Sequence, residues 1–429
     1  MRARLTELRP VLLAAAVALA ALPSRPAAAQ EDPALAPYVM LRSLQFVQDT
    51  VVAGDHSAGE MQRFMLNKID QRLRTADPSV FRDPRNVDAA LIYAMSGGNP
   101  ETLEYLVDRD IAGNFDSRVA DALRKYLAGR GTLIAKSLGE MAMEYRDERM
   151  GAYLALVSGN VTVPKDPKGA LAYYDMARLA APGTIVEEAA LRRSVAIAVD
   201  ADMVAKGLAY ARQYARRFVH SPYASQFADF FVQLTVEHYP QVTEADIDGT
   251  VEFMDVDRRR EVFLRIARSA ALEGKDELAR LASTRATALS GLEEATPETL
   301  ARLYGGLASI STSQVGAVAQ DLSEIPEERL SPRDQALREA ARVVAEEVLR
   351  APSSDSLAQV PPATISPTPD AAVSNASLGD EPPGSVGVTS PVPAGGTVKL
   401  DAEFRTFVEA GRSRLSAIDE LLKEEDVRP

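Results

Sequence analysis

Over residues 36–349 the apolar side chains return every three or four positions, and the alternating β-branched and aromatic runs of strands are nearly absent. A period of 3.6 lays those side chains along one stripe of each helix, so the chain buries them by packing helix on helix. The sequence contains no cysteine, which removes disulfide staples, thiol nucleophiles and cysteine-based metal sites together. Stability must then come from buried apolar area, and a chain of this length can supply it. An all-α fold is expected.

Helix boundaries carry their own chemistry. Asp166-Pro167, Ser221-Pro222, Thr296-Pro297 and Ser331-Pro332 each set a capping oxygen before a proline. That order suits a helix start, where the oxygen accepts an orphan N–H and the proline has none to leave unpaired. Thr184 and Glu187 have the spacing of a capping box, each side chain accepting from the other residue's backbone.

A weak internal repeat runs through the middle. Lys168-Gly169-Ala170-Leu171-Ala172-Tyr173 resembles Lys206-Gly207-Leu208-Ala209-Tyr210-Ala211, and Ala177-Arg178 matches Ala215-Arg216. Each segment starts a helix, and a second helix is expected after it, over 185–199 and 223–237. A further pair is expected over 258–272 and 275–289, on either side of Glu273-Gly274. A spacing of about 38 residues per pair lies among the periods of tetratricopeptide-like solenoids. Residues 30–350 are therefore expected to form a helical-hairpin solenoid, with an irregular helical domain as the alternative.

The two ends differ from the middle. Arg2, Arg4 and Arg9 precede an apolar run over 11–22, and Ala27-Ala28-Ala29 precede Gln30. This is the plan of a secretory signal peptide over residues 1–29, cleaved between Ala29 and Gln30. The run is short of the roughly 20 residues a bilayer span needs. Export to the periplasm is expected, with no membrane-embedded segment after cleavage. Residues 351–398 are rich in Pro, Ser, Thr, Ala and Gly and hold no basic residue. Such a stretch cannot bury enough apolar surface to offset chain entropy, so a disordered linker is expected. In residues 399–425, Leu400, Phe404, Phe407, Val408, Leu415, Ile418, Leu421 and Leu422 form one stripe. They mark an amphipathic helix that either docks back or meets another protein.

The formal charge of −13 argues against nucleic acid or an anionic membrane as the main partner. The segment 1–29 is itself net positive, so the remainder is more acidic still. Catalytic patterns are sparse. His56, His220 and His238 are the three histidines, and none is spaced from another as a compact metal pair. Gly129-Arg130-Gly131-Thr132-Leu133-Ile134-Ala135-Lys136-Ser137 approaches a phosphate-binding loop, but Arg130 and Ala135 stand where its glycines are required. Glu140 and Glu144 lie one helical turn apart and Glu187-Glu188 open a helix, where acidic residues ordinarily complement the dipole. Arg192-Arg193, Arg216-Arg217 and Arg258-Arg259-Arg260 are expected to pair with acids on neighbouring helices. A murein-cleaving enzyme would need two carboxyls across a cleft, and no Glu-Ser dipeptide of that kind occurs. No enzyme, cofactor or metal is expected.

Tyr223, Phe227, Phe230 and Phe231 fall on one wide face of the expected helix 223–237. That face either packs into the core or offers a protein-binding surface. Residues 181–193 (APGTIVEEAALRR) and 216–231 (RRFVHSPYASQFADFF) together resemble the MotC family. These are periplasmic motility proteins of rhizobial and related alphaproteobacterial flagellar motors. The resemblance implies a non-enzymatic protein required for flagellar rotation that binds the periplasmic part of the stator protein MotB. It brings no family-wide catalytic or ligand residues. The alternative is a general periplasmic helical-repeat scaffold for envelope assembly, for which a solenoid's broad surface would serve equally.

Overall fold

The computed structural model describes residues 36–351 apart from 291–294, 311 and 313. The expected signal peptide with its Ala29/Gln30 junction, the linker beyond Ala351 and the helix over 399–425 lie outside the described residues.

Among the described residues every regular element is helical. The N-terminal part holds α1 (Pro37–Ala53), α2 (Ala58–Thr75), α3 (Pro84–Met95), α4 (Pro100–Asp108), α5 (Ser117–Leu127) and α6 (Ala135–Glu144). The middle holds α7 (Gly151–Thr162), α8 (Pro167–Ala180), α9 (Ile185–Asp200), α10 (Val204–Phe218), α11 (Ala224–Glu237) and α12 (Glu244–Val251). Then follow α13 (Val256–Leu272), α14 (Asp276–Ala288), α15 (Ala295–Leu307), α16 (Val315–Ser323) and α17 (Pro332–Leu349).

The helices pair as α1–α2, α7–α8, α9–α10 and α13–α14, and the pairs stack. Helices α7, α9, α11, α13 and α15 lie side by side in one layer, each touching the next. The stacking has a fixed register, visible in polar links that bridge one pair to the following one. Tyr210 donates to Asp175 and Arg178 to Gln213, both 35 residues away. Arg265 reaches Asp229 across 36 residues, and Arg258 reaches the Val219 carbonyl across 39. These separations match the repeat of about 38 read from the sequence, because one hairpin advance brings the same face onto its neighbour. The pairs expected over 258–272 and 275–289 are α13 and α14.

Caps follow the expected chemistry at some starts and depart from it at others. Asp166 accepts the Gly169 N–H at 2.8 Å and Ser331 the Asp334 N–H at 3.2 Å, with proline behind each. Ser221 instead caps a tight turn, accepting from Tyr223, so α11 begins only at Ala224. Helix α15 already begins at Ala295, one residue ahead of Thr296. The reciprocal capping box lies at Thr243 and Asp246. At Thr184 neither bond of the expected box forms: its hydroxyl caps α9 by accepting from Val186 and not from Glu187, while Glu187 accepts from Gly183 and not from Thr184. Glu187 is drawn off because Arg217 holds the same carboxylate at 2.7 and 2.8 Å.

Helix α1 breaks the nearest-neighbour rule of a solenoid. Gln45 donates to the Tyr153 hydroxyl, 108 residues on, and Asp49 accepts the Ile185 N–H, 136 residues on. The N-terminal hairpin is thereby seated against α9 and α10.

Helices α7 and α8 approach closely because α7 carries a glycine at the crossing. A Cβ at Gly159 would lie 2.5 Å from the Tyr174 ring, and that ring is buried, its hydroxyl bonded to Asn160. Gly159→Ala gains about 1 kcal/mol of helix propensity but overpacks a site whose neighbour cannot swing out, at about 1–3 kcal/mol. Net destabilisation is expected, read as a lower midpoint in thermal circular dichroism. A rise in the midpoint would show that the two helices have room to separate.

Candidate partner-binding edge

The two segments 181–193 and 216–231, distant in sequence, meet at one edge of the stack. The first is the turn into α9 together with that helix's opening turns. The second closes α10 and opens α11. Their junction is polar and largely buried. Glu188 is fully buried and accepts from Arg192 Nε at 2.9 Å, Arg192 Nη2 at 3.2 Å and the Tyr214 hydroxyl at 2.8 Å. Arg192 continues outward, donating to Gln226 Oε1 at 2.6 Å. Its guanidinium lies 4.7 Å from the Tyr223 ring centre. Glu187, next along, is held by Arg217 from α10. Each buried carboxylate is thus matched by a guanidinium, the condition under which a buried charge is tolerated.

Electrostatics follow from that arrangement. Burial by itself would lower the pKa of Arg192, and the adjacent Glu188 carboxylate more than reverses this, so the net shift is upward. Burial, reinforced by the Glu188 charge, pushes the Tyr214 hydroxyl strongly up. Both groups therefore keep their protons across the physiological range.

An aromatic column backs the ion pairs. The Tyr214 and Phe227 rings stack with centroids 4.1 Å apart, and Phe227 and Phe231 follow at 6.2 Å. On the far side, a Cβ added at Gly54 would lie 2.8 Å from the Cβ of His220, so the end of α1 buttresses the edge. Burial pushes the carboxyl of Asp49 up in pKa, partly offset by the Ile185 N–H it receives.

The residues expected to bind protein are split by the fold. Phe227 and Phe231 are buried in the core, which removes them from any partner surface. Tyr223 is 40% exposed and lies flat against Arg192, and Phe230 is half-buried at the core's margin. Pro182, Arg217, His220, Pro222 and Gln226 of the same two segments are also exposed. The site thus joins an exposed aromatic and an arginine-rich rim, residue types enriched where proteins bind tightly. Sequence reading assigned Glu187 and Glu188 to the helix dipole and passed over Tyr214, Gln226 and Asp49. The i,i+4 spacing of Glu188 and Arg192 was the one signal available for the pair.

The other residues considered for chemistry lie apart. Glu140 faces Lys136, and Glu144 pairs with Arg118. Gly131 packs against Val161 in a short 3-10 turn before α6. His56 and His220 are exposed, while the nearly buried His238 has Nδ1 3.9 Å from Asp202. Among the described residues no group of three His, Asp or Glu is arranged to hold a metal ion.

The family model described as Chemotaxis protein MotC matches residues 1–427. A curated relative, Chemotaxis protein MotC of Rhizobium meliloti (strain 1021), is 51% identical over 426 residues. The alignment covers 96% of this chain and 98% of the relative. No solved structure matches.

Proposed function

The chain belongs to the MotC family of chemotaxis proteins, and from that membership we propose a non-enzymatic periplasmic protein required for flagellar rotation. Its partner on this reading is the periplasmic part of the stator protein MotB, bound without any chemical step. The observation that carries the reading is the family match over nearly the whole chain. The edge built from residues 181–193 and 216–231 supports it, since buried Glu188 anchors the Arg192 guanidinium that lies over the exposed Tyr223 ring. Preorganised aromatic and arginine side chains bind at low entropic cost. The apolar run ahead of Ala27-Ala28-Ala29 supports export. No helix among the described residues is long and apolar enough to cross a membrane.

Two measurements test the proposal. Deleting the gene is expected to leave cells with assembled but paralysed flagella. Purified protein is expected to bind the periplasmic fragment of MotB in calorimetry, and Tyr223→Ala to weaken that binding about tenfold, the effect of losing an interface aromatic worth about 1.4 kcal/mol. Normal swimming of the deletion strain, or failure to assemble flagella, would instead favour the general envelope scaffold. Unchanged affinity in Tyr223→Ala would move the binding surface elsewhere on the protein.

A further inference from the structure

The end of α10 gathers positive charge on a protein whose formal charge is −13. Arg216 and Arg217 stand in its last turn, and Arg258 of α13 donates to the Val219 carbonyl just beyond it. Arg192 of α9 shares one oxygen of Glu188 with the Tyr214 hydroxyl of α10. Basic residues in a last turn ordinarily complement the helix dipole. That accounts for part of the set, and two observations exceed it.

The first is where the counter-charges lie. Glu187 and Glu188 are buried, while Arg217, which holds Glu187, is half-exposed. Burial takes these carboxylates out of solvent and leaves a guanidinium at the surface. Arg217 spends only Nη1 on Glu187, so its remaining N–H groups can serve a second acceptor. Of the acids in these pairings only Asp255, beside Arg258, is exposed.

The second is Arg216. It is exposed, and its guanidinium lies 4.9 Å from the centre of the half-buried Phe253 ring. Among the described residues no carboxylate stands within ion-pairing distance of it. An aromatic ring attracts the cation but takes up none of its in-plane N–H groups. Those groups match a carboxylate in bidentate geometry. Tyr223 follows in the turn out of the same helix as an exposed aromatic. The acidic remainder of the protein would repel a negatively charged ligand, so charge fixes where such a ligand docks.

We propose that the α10 end of this edge recognises an acidic segment of the partner protein, whose carboxylates meet Arg216 and Arg217. The inference rests on the reading of the edge as partner-binding and adds the chemistry of what it binds.

The test uses the full chain with two probes: the periplasmic fragment of MotB, and a pair of short synthetic peptides that differ only in carrying glutamate or lysine. Fluorescence anisotropy is expected to show binding of the fragment and of the glutamate peptide, and at least about tenfold weaker binding of the lysine peptide. Arg216→Glu should weaken binding of the fragment and of the glutamate peptide about tenfold and Arg216→Gln about threefold, chiefly through the association rate and with a shallower salt dependence. Melting curves should not change, because Arg216 is exposed and pairs with no acid. An Arg216→Glu chain that binds the fragment as tightly as wild type overturns the proposal, and weakening by Tyr223→Ala in the same assay would still leave the edge as the binding surface. A fragment that does not bind the wild-type chain refutes MotB as the partner, and the peptides then decide. The acidic-segment site stands if Arg216→Glu releases the glutamate peptide, and falls if it does not or if the lysine peptide binds equally well. Sedimentation with phosphatidylglycerol vesicles that Arg216→Glu abolishes would assign the site to lipid headgroups and likewise overturns it.

Discussion

Glu188→Ala is expected to lower the thermal midpoint by roughly 10 °C, the largest effect of any single polar substitution considered. Removing one member of a buried pair costs about 3–5 kcal/mol, because the partner's charge stays behind without compensation. At about 2–4 °C per kcal/mol for a domain of this size, that energy gives the stated shift. Two groups lose their acceptor together: the Arg192 guanidinium, 12% exposed, and the Tyr214 hydroxyl. Glu188→Gln should fall between, since an amide oxygen still accepts from Tyr214 but offers Arg192 no charge. Replacing all three groups by apolar side chains, Glu188→Met with Arg192→Leu and Tyr214→Phe, should recover most of the loss, as buried ion pairs are worth little net against good packing. A Glu188→Ala midpoint within 2 °C of wild type would mean that water reaches the carboxylate.

Phe231→Ala is the second large effect, expected at about 3–5 kcal/mol in urea unfolding from the cavity it leaves. Phe231 is fully buried and ends the aromatic column begun by Tyr214 and Phe227. Its neighbour Phe230 is only half-buried, so Phe230→Ala should cost less than about 1.5 kcal/mol. The contrast matters for function: Phe231→Ala acts on the fold, while loss of partner binding in Tyr223→Ala should come with an unchanged unfolding midpoint. Equal costs at 230 and 231 would show that α11 is rotated about its axis from the position described.

The same helix shows where sequence reading reached its resolution. Spacings of four, three and one placed Tyr223, Phe227, Phe230 and Phe231 on a single wide face, and that much holds. Periodicity specifies which side chains share a face, not how deep along that face the neighbouring helices lie. Helices α9, α10 and α13 pack against α11 and bury Phe227 and Phe231, while Tyr223 and part of Phe230 are left at the surface. No pattern within α11 itself carries that division.

Other features were legible because their causes are local. Helical period, the absence of cysteine, the caps at Asp166 and Ser331, and the 38-residue recurrence all arise from residues within a few turns of one another, or from one hairpin repeated. Side-chain entropy, cap hydrogen bonds and stripe spacing act over that range, so the all-α class and the hairpin stacking were determined by the sequence alone. The edge was decided by tertiary structure. Glu187 sits at the start of α9 with the spacing of a capping residue, yet its buried carboxylate is shared between the half-exposed Arg217 of α10 and the Gly183 N–H, a charge-assisted pairing that the local spacing does not specify. Asp49 reaches Ile185 across 136 residues, a contact no repeat period encodes. Such pairings depend on which stripes come to lie together when the stack closes, a long-range choice made by total buried area and by the requirement that every buried charge find its partner.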